Sequence, residues 1–299
     1  MPENKISSVD ISAIRCPFCK SNFRYLKRMN GAGVVSCKEH KFPEINGILY
    51  LKRDKLANMA VKNILHGRAL AAYINLLNLN RKMLIPFLLL NSKIRISFKK
   101  FIYLIRIAGY DKKWSRYILK RTRSDSYKAT RHSIKMLKKG GKVLDFGCGV
   151  GQLLVPLAKI VGPKNLYAID SSFVNLMIAR KFFASRQATL ICSDCKYGLP
   201  FSDKSLHAIT ATDSFHYVDK KAVFVKECER ILKPKGRLMI FQTINAMGVV
   251  FDNIKAITID NFIQILIKNK FQKINVFSNQ GKTIKHINEK EPYNISAVK

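Results

Sequence analysis

Short apolar runs alternate with amphipathic stretches through the second half of the chain. Five runs of β-forming residues lie between residues 143 and 241, and four of them lead into an aspartate. The stretches between them repeat apolar residues at the three- and four-residue spacing of a helix with one buried face. Strands that alternate with helices are typical of a parallel sheet with helices on both sides. The pattern therefore predicts a doubly wound α/β fold.

Residues 55–113 carry two further apolar stripes at helical spacing, with Lys and Arg around them. The first stripe, in which Pro86 predicts a kink, consists of Leu70, Tyr73, Ile74, Leu77, Leu84, Phe87 and Leu88. The second consists of Ile94, Phe98, Phe101, Ile102, Ile105 and Ala108. We expect helices packed over the α/β domain. The alternative is a basic amphipathic lid that lies on a membrane or binds RNA.

Basic residues far outnumber acidic ones, and the excess is uneven along the chain. The sequence holds 54 Lys and Arg against 19 Asp and Glu, a formal net charge of +35. Residues 1–139 contain 31 basic and 7 acidic side chains (+24), which leaves 23 and 12 (+11) for residues 140–299. Such a balance favours a polyanionic partner, either RNA or an anionic membrane surface.

No stretch reaches the roughly 18 consecutive apolar residues that a membrane-spanning helix needs. The first 15 residues lack the apolar run of a signal peptide, so we expect the protein in the cytoplasm. In that reducing compartment the seven cysteines are expected to be thiols or metal ligands rather than disulfides.

A strand, a tight turn and a helix start are predicted from residue 143 onward. Gly147, Gly149 and Gly151 alternate with other residues directly after the strand that carries Asp145. The dinucleotide fingerprint G-x-G-x-x-G would need its third glycine at position 152, which is Gln152. The Asp145 carboxylate would repel a phosphate but attract a positively charged ligand. S-adenosylmethionine, which has an ammonium, a sulfonium and no phosphate, meets these requirements.

Acidic residues also end the next two predicted strands. A carboxylate at Asp170, with Ser171 beside it, can accept hydrogen bonds from both hydroxyls of a ribose. Asp194 ends the third strand, and segments 199–210 (LPFSDKSLHAIT) and 227–238 (ECERILKPKGRL) accompany the fourth and fifth. In order and spacing these motifs resemble the class I S-adenosylmethionine-dependent methyltransferases of type 11.

The resemblance extends over roughly residues 115–299 and implies a Rossmann-like sheet of seven strands, closed by an antiparallel pair at 271–277 and 293–298. It implies an adenine-amine acceptor at Asp194. The full set of implied cofactor-binding residues is Asp145, Gly147, Gly149, Gly151, Asp170, Ser171 and Asp194. His207 and Lys235 depart from the family pattern, which has an acid and a glycine there. We expect residues 243–257 to form a loop and short helix over the crevice.

Two pairs of metal-ligand residues lie near the start of the chain. Cys16 and Cys19 form a C-x2-C pair, and Cys37 and His40 form a C-x2-H pair 17 residues later. Each pair has the spacing of a zinc knuckle, in which a short turn directs two ligands at one tetrahedral ion. A unit this small has little core of its own, so zinc would supply its folding energy.

This segment resembles the zinc ribbon that precedes the catalytic domain of bacterial large-subunit rRNA guanine methyltransferases. The following residues 42–51 (FPEINGILYL) resemble the tail of small zinc-ribbon proteins that partner methyltransferases. We therefore expect a zinc-ribbon segment at 1–54, a basic helical segment or lid at 55–139, and a methyltransferase catalytic domain at 140–299.

Candidate catalytic residues follow the fourth strand, because the carboxyl edge of a doubly wound sheet faces the ligand crevice. His216 is the first candidate for a general base, and Asp213 or Tyr217 are candidates for positioning the acceptor. Methyl transfer needs a base only when the acceptor has a proton to lose, and alignment supplies much of the acceleration.

Three functions are compatible with these patterns. The first is in-line methyl transfer to a small molecule of lipid-like or membrane-proximal kind, which the type 11 motifs favour. The second is methylation of rRNA or tRNA, which the charge and the ribbon favour. The third is a non-catalytic zinc-ribbon adaptor, which the intact glycines and acids disfavour. The implied cofactors are S-adenosylmethionine and structural zinc.

Overall fold

The N-terminal segment forms four short strands. They are β1 (Arg24–Met29), β2 (Ala32–Ser36), β3 (Lys41–Ile45) and β4 (Ile48–Tyr50). Successive strands pair antiparallel, and tight turns at Gly31 and Gly47 join two of the pairs with a positive φ angle. The coordinates come from a computed structural model that describes residues 9–92, 94–243, 256–278 and 292–299.

Six α-helices of the described residues follow before the glycine-rich motif. They are α1 (Lys55–Leu65), α2 (Ala69–Leu77), α3 (Arg81–Asn91), α4 (Phe98–Ile107), α5 (Lys112–Arg121) and α6 (Asp125–Ser133). Side-chain caps fix most of their starts: Asp54, Asn80 and Asp111 each accept a hydrogen bond from the backbone N–H three residues on. Asn78 ends α2 in the left-handed conformation, so the first predicted stripe forms two helices and Pro86 lies inside the second.

Strands and helices then alternate as the hydrophobic pattern predicts, with one exception. The elements are β5 (Val143–Phe146), α7 (Leu154–Val161), β6 (Leu166–Asp170), α8 (Phe173–Phe182), β7 (Thr189–Cys192), β8 (Leu206–Thr212), α9 (Lys221–Ile231) and β9 (Leu232–Thr243). The exception is that β7 and β8 follow one another with a loop between them. The chain closes with α10 (Ile259–Lys268), β10 (Gln272–Ser278) and β11 (Tyr293–Val298). Residues 244–255, most of the loop expected over the crevice, lie outside the described residues.

All strands of the described residues belong to one mixed sheet, in the order β1-β2-β3-β4-β7-β6-β5-β8-β9-β11-β10. The α/β prediction is confirmed, but the expected count of seven strands is wrong, since the sheet has eleven. The difference arises because β4 pairs in parallel with β7, from Ile48 beside Leu190 to Tyr50 beside Cys192. The four N-terminal strands therefore extend the central sheet beyond β7.

Apolar side chains cover both faces of this sheet. One cluster packs α1–α4, α7 and α8 against one face, with Tyr73, Phe87 and Phe101 fully buried in it. The other cluster packs α9 and α10 together with residues around Ile14 and Phe42. The helices of residues 55–113 thus pack over the sheet. Within the described residues, none of the helices combines the length and apolar character needed to cross a bilayer.

The two departures from the family pattern have local explanations. The ring Nδ1 of His207 accepts a hydrogen bond from the backbone N–H of Lys142 at 2.9 Å, so the residue helps hold the start of β5. Lys235 adopts a φ of 63° in the turn where the family has glycine, and its backbone N–H donates to the carbonyl of Lys299. Both positions therefore serve the sheet rather than a ligand.

Candidate functional site

A cavity of about 1020 Å³ opens at the carboxyl ends of the central parallel strands. Its walls are the loop after β5, the ends of β6, β7 and β8, the helix α5 and the start of α9. Six of the chain's 19 acidic side chains line it, against three basic ones. These acids are Asp145, Asp170, Asp194, Asp213, Asp219 and Glu227. In a protein of such positive charge, this concentration favours a cationic ligand in the cavity.

The three positions of the loop after β5 require glycine for different structural reasons. All three have positive φ, at 65° for Gly147, 54° for Gly149 and 82° for Gly151. A Cβ at Gly147 would lie 2.4 Å from the Cβ of Ser214, and one at Gly151 would lie 2.7 Å from that of Ala179. Among the residues that the structure describes, a Cβ at Gly149 would meet no atom within 4 Å. The first and third glycines therefore serve packing, whereas Gly149 leaves open space in the cavity wall.

Asp145 carries a buried carboxyl group at the floor of the cavity. The side chain of Thr210 donates a 2.9 Å hydrogen bond to its Oδ1, and the residue is only 2% exposed. Burial raises the pKa of the Asp145 carboxyl to about 7, although Thr210 and Arg121 act in the opposite direction. A positively charged ligand nearby would favour the ionised form of this group.

Asp170 lies at the end of β6 and organises the loop across from it. Its Oδ2 accepts the backbone N–H of Gly149 at 2.9 Å, and its Oδ1 accepts that of Ser172 at 2.8 Å. Burial raises the pKa of the Asp170 carboxyl, against the effect of these two hydrogen bonds. The adjacent Ser171 also lines the cavity, and its carbonyl accepts a 2.6 Å hydrogen bond from the ammonium of Lys52.

Asp194 and the loop that follows form another wall of the cavity. This loop also touches the N-terminal segment: the ring of Tyr197 lies 4.8 Å from that of Phe18, centroid to centroid. The ammonium of Lys20 donates to the carbonyl of Tyr197 at 3.1 Å. The turn that carries Cys19 therefore packs directly against the loop that carries the predicted adenine-binding acid.

Asp213 is held at the cavity rim by two side chains of α5. Its φ is 55°, and its Oδ2 accepts hydrogen bonds from the hydroxyl of Tyr117 and, at 2.8 Å, from the guanidinium of Arg121. Burial raises the pKa of the Asp213 carboxyl, while Arg121 and His216 oppose that shift. The arrangement keeps a carboxyl group at a fixed position in the cavity.

His216 and Tyr217 occupy different environments. The side chain of His216 is 2% exposed and lies behind Asp213, with its Nε2 3.9 Å from Asp213 Oδ1. It is not one of the cavity-lining residues, and its Nδ1 is buried without a hydrogen-bond partner in the described part of the chain. Burial lowers the pKa of the His216 imidazole. Tyr217 lines the cavity and is 59% exposed.

The four predicted metal ligands converge. The ligand atoms of Cys16, Cys19, Cys37 and His40 all lie within 4.8 Å of one another. The Nδ1 of His40 is 3.6 Å from the Sγ of Cys16 and 3.5 Å from that of Cys37, and the Sγ atoms of Cys19 and Cys37 are 3.5 Å apart. Tetrahedral zinc places such ligand atoms about 3.5–3.8 Å apart, so the geometry fits this ion.

The sequence patterns did not single out the contribution of α5. Trp114, Tyr117, Ile118 and Arg121 all line the cavity, at helical spacing. The amide of Gln152 donates to the carbonyl of Ile118 at 2.7 Å, which attaches α5 to the glycine loop. The same i, i+3, i+4, i+7 spacing is the signal that was available in the sequence. This spacing predicts that the four side chains share one face of the helix, but it does not predict that the face lines a cavity.

Comparison with known proteins identifies the domain around this cavity. Residues 144–240 match the family described as "Methyltransferase domain". Demethylmenaquinone methyltransferase from Staphylococcus aureus is 31% identical over 122 residues, which are 40% of this chain and 51% of the relative. The chain thus spans about half the length of the curated relatives it matches. The expectation of an S-adenosylmethionine-dependent methyltransferase is confirmed at the level of this domain.

Solved structures agree in fold. Phosphoethanolamine N-methyltransferase 2 of Haemonchus contortus, solved with phosphomonomethylethanolamine and S-adenosylhomocysteine, has 15% identity and a TM-score of 0.50. The match covers 69% of this chain and 61% of that one. A chain from the complex of a Haloferax volcanii methyltransferase with its activator has 15% identity and a TM-score of 0.50, covering 69% of this chain and 99% of that one. At these identities the likeness establishes the fold alone.

Proposed function

We propose that this protein is a methyltransferase that uses S-adenosylmethionine and methylates a small, lipid-like acceptor. The observation that carries the proposal is the open space at Gly149, in the domain that matches the methyltransferase family. The backbone N–H of Gly149 contacts the Asp170 carboxyl group, and Asp145 lines the same cavity. S-adenosylmethionine supplies an activated methyl group, because its sulfonium sulfur is a good leaving group.

The cofactor-binding residues proposed from the sequence fit this ligand. Asp170 would accept the ribose hydroxyls, and its position is fixed by the backbone N–H groups of Gly149 and Ser172. Asp194, which follows the neighbouring strand β7, would accept a hydrogen bond from the adenine amine. Asp145 would supply negative charge near the cationic end of the ligand. A ligand bearing phosphates would instead meet three carboxyl groups at close range, which disfavours nucleotides.

We assign the acceptor to the part of the cavity formed by α5 and residues 217–224, which carries apolar side chains as well as the carboxyl groups of Asp213 and Asp219. Trp114, Tyr117, Val223 and Phe224 line it, and the side chains of Tyr217 and Val223 are more than half exposed. The name of the Staphylococcus aureus relative indicates a lipid-like acceptor, which such walls would suit. Asp213 would orient the acceptor and take up a proton where one is lost. Arg121 and Tyr117 hold Asp213 in place, and His216 would act through Asp213 from behind.

We also propose that Cys16, Cys19, Cys37 and His40 bind one structural zinc ion. The support is the convergence of all four ligand atoms within 4.8 Å. Zinc there would stabilise two turns, one on each side of the pair β1 and β2, and would leave no open coordination position for catalysis.

RNA methylation is the second candidate, because the formal charge of +35 favours binding to a polyanion. One experiment separates the two candidates. Protein and radiolabelled S-adenosylmethionine are added to a lysate from cells that lack the gene, and the lysate is then fractionated into lipid, RNA and protein. We expect label in the lipid fraction. Label in RNA alone would refute the lipid-like acceptor.

The matched control for this experiment is Asp170→Asn. It keeps one oxygen to accept a backbone N–H but removes the charge that would hold the ribose. The variant should remain folded, as circular dichroism can verify, and should transfer no label to any fraction. If Asp170→Asn transfers label as fast as the unchanged protein, the assigned cofactor site is wrong.

A further inference from the structure

The helices α4 and α5 both expose basic side chains, and α4 also exposes apolar ones; together we call these side chains the basic–apolar face. It consists of Lys99, Lys100, Tyr103, Arg106 and Ile107 on α4, and Lys112, Lys113, Arg116 and Lys120 on α5. The two helices contact each other and follow one another in the chain.

On α4 this face is distinct from the side that packs. Residues 99, 100, 103, 106 and 107 fall on one side of a helix with 3.6 residues per turn. The opposite side, with Phe101, Ile102 and Ile105, is fully buried. In contrast, Tyr103 is 58% exposed and Ile107 is 68% exposed, between three basic residues. Two large apolar side chains on α4 are therefore exposed among basic ones, which is the composition of a helix that lies at a membrane interface.

The charge of this part of the chain is almost entirely of one sign. Residues 98–121 contain eight basic side chains and one acidic one. The single acid, Asp111, is engaged as the N-cap of α5, where it accepts the backbone N–H of Trp114 at 2.8 Å. Basic side chains therefore outnumber acidic ones eight to one in residues 98–121, around two exposed apolar side chains, which favours an anionic partner.

The same helix α5 joins this face to the cavity. Lys112, Lys113 and Arg116 point to solvent, whereas Trp114 and Tyr117 on the next side of the helix line the cavity. The basic–apolar face and the wall of the cavity therefore lie on two sides of the same helix.

We propose that the basic–apolar face docks on an anionic lipid bilayer, with Tyr103 and Ile107 in the interfacial region and the basic side chains at the lipid phosphates. Helices of this composition lie in the plane of a bilayer surface. RNA would use the charges equally well but would give an exposed isoleucine no partner. Only one part of this inference rests on the proposed function, namely that the docked bilayer delivers a lipid-like acceptor to the cavity.

Flotation with vesicles tests the docking surface without any methyl transfer. The full-length protein is mixed with vesicles of phosphatidylcholine containing phosphatidylglycerol, or with phosphatidylcholine alone. We expect binding to the anionic vesicles only. The triple variant Lys99→Glu, Lys100→Glu, Arg106→Glu should lower the partition about tenfold or more. The double variant Tyr103→Ser, Ile107→Ser should lower it at unchanged charge.

A triple charge reversal at Lys159, Lys164 and Lys268, which are exposed on other elements, is the matched control and should bind as the unchanged protein does. Absence of binding to anionic vesicles, or an equal loss in this control, would overturn the proposal. Unchanged vesicle binding of the double variant would also overturn the proposal. Charge alone would then explain the binding, and RNA would be an equally good partner. Vesicle binding without label in any lipid would support the face and refute the proposed acceptor.

Discussion

Replacing Gly147 and Gly149 by alanine, one at a time, separates what the fold requires from what the ligand requires. Both residues have φ in the left-handed region, at 65° and 54°, so each alanine costs about 1–2 kcal/mol of backbone energy. Only the alanine at Gly147 adds a clash, because its Cβ would lie 2.4 Å from the Cβ of Ser214 and 2.8 Å from its Oγ. Overpacking of this kind costs a further ~1–3 kcal/mol.

The Gly147 variant should therefore lose mainly stability, whereas the Gly149 variant should lose mainly affinity for the cofactor. Gly147→Ala should lower the free energy of unfolding by roughly 2–5 kcal/mol, and Gly149→Ala by only about 1–2 kcal/mol. Gly149→Ala should stay folded but bind S-adenosylhomocysteine about tenfold or more weakly, which is roughly 1.4 kcal/mol. The reason is that its methyl group would occupy the open space in the cavity wall. Urea denaturation and titration calorimetry measure the two quantities.

A double-mutant cycle isolates the clash. Ser214→Gly removes the two atoms that the new methyl group would meet, at the cost of a 2.9 Å hydrogen bond from Ser214 Oγ to the carbonyl of Phe146. In the Gly147→Ala background it should recover ~1–3 kcal/mol relative to its effect alone. Additive effects would refute the steric argument. Unchanged cofactor affinity in Gly149→Ala would refute the assignment of the open space to a ligand.

Three further predictions follow from the surrounding residues. The raised pKa of Asp145, about 7 against an ordinary value near 3.8, means that the folded protein holds this proton more tightly than the unfolded chain. Its stabilising effect is fully present below about pH 4 and is lost as the pH rises through 7, by up to about 4 kcal/mol. In Asp145→Asn, urea denaturation of the ligand-free protein should lose this pH dependence; an unaltered profile would contradict the assignment. Cys37→Ser should release zinc, detected by elemental analysis, and weaken cofactor binding severalfold because the loop at Tyr197 loses its support; weaker binding without metal loss, or the reverse, would disprove the link. Arg121→Gln should reduce kcat about tenfold or more with little change in cofactor affinity, because Asp213 loses its orienting partner; loss of cofactor binding instead would place Arg121 in the cofactor site.

Much of the catalytic domain could be predicted because its signals are local. A buried strand followed by glycines with positive φ has few structural alternatives, so the pattern around Asp145 determined the turn and its position in the sheet. The same holds for the ends of β6 and β7, where the acids at Asp170 and Asp194 both line the cavity. Alternation of strands and helices then leaves little freedom in strand order.

Other features depend on contacts that no local pattern specifies. The pairing of β4 with β7 places Tyr50 beside Cys192. The residues near either position do not identify the partner strand, because every strand edge offers the same backbone groups. For this reason the N-terminal strands were expected as a separate ribbon, whereas they continue the central sheet. The burial of His216 is equally a tertiary result, because the residue's neighbours in sequence include the exposed Tyr217.

The sequence by itself determined the fold class, the glycine turn and the spacing of the four metal ligands, because each depends on backbone geometry or on residues a few positions apart. Only the tertiary structure brought Arg121 and Tyr117 to Asp213, across more than 90 residues, and turned α5 so that one side lines the cavity and another faces solvent. The periodicity of a helix determines which residues share a face. What that face meets depends on the packing of the whole chain.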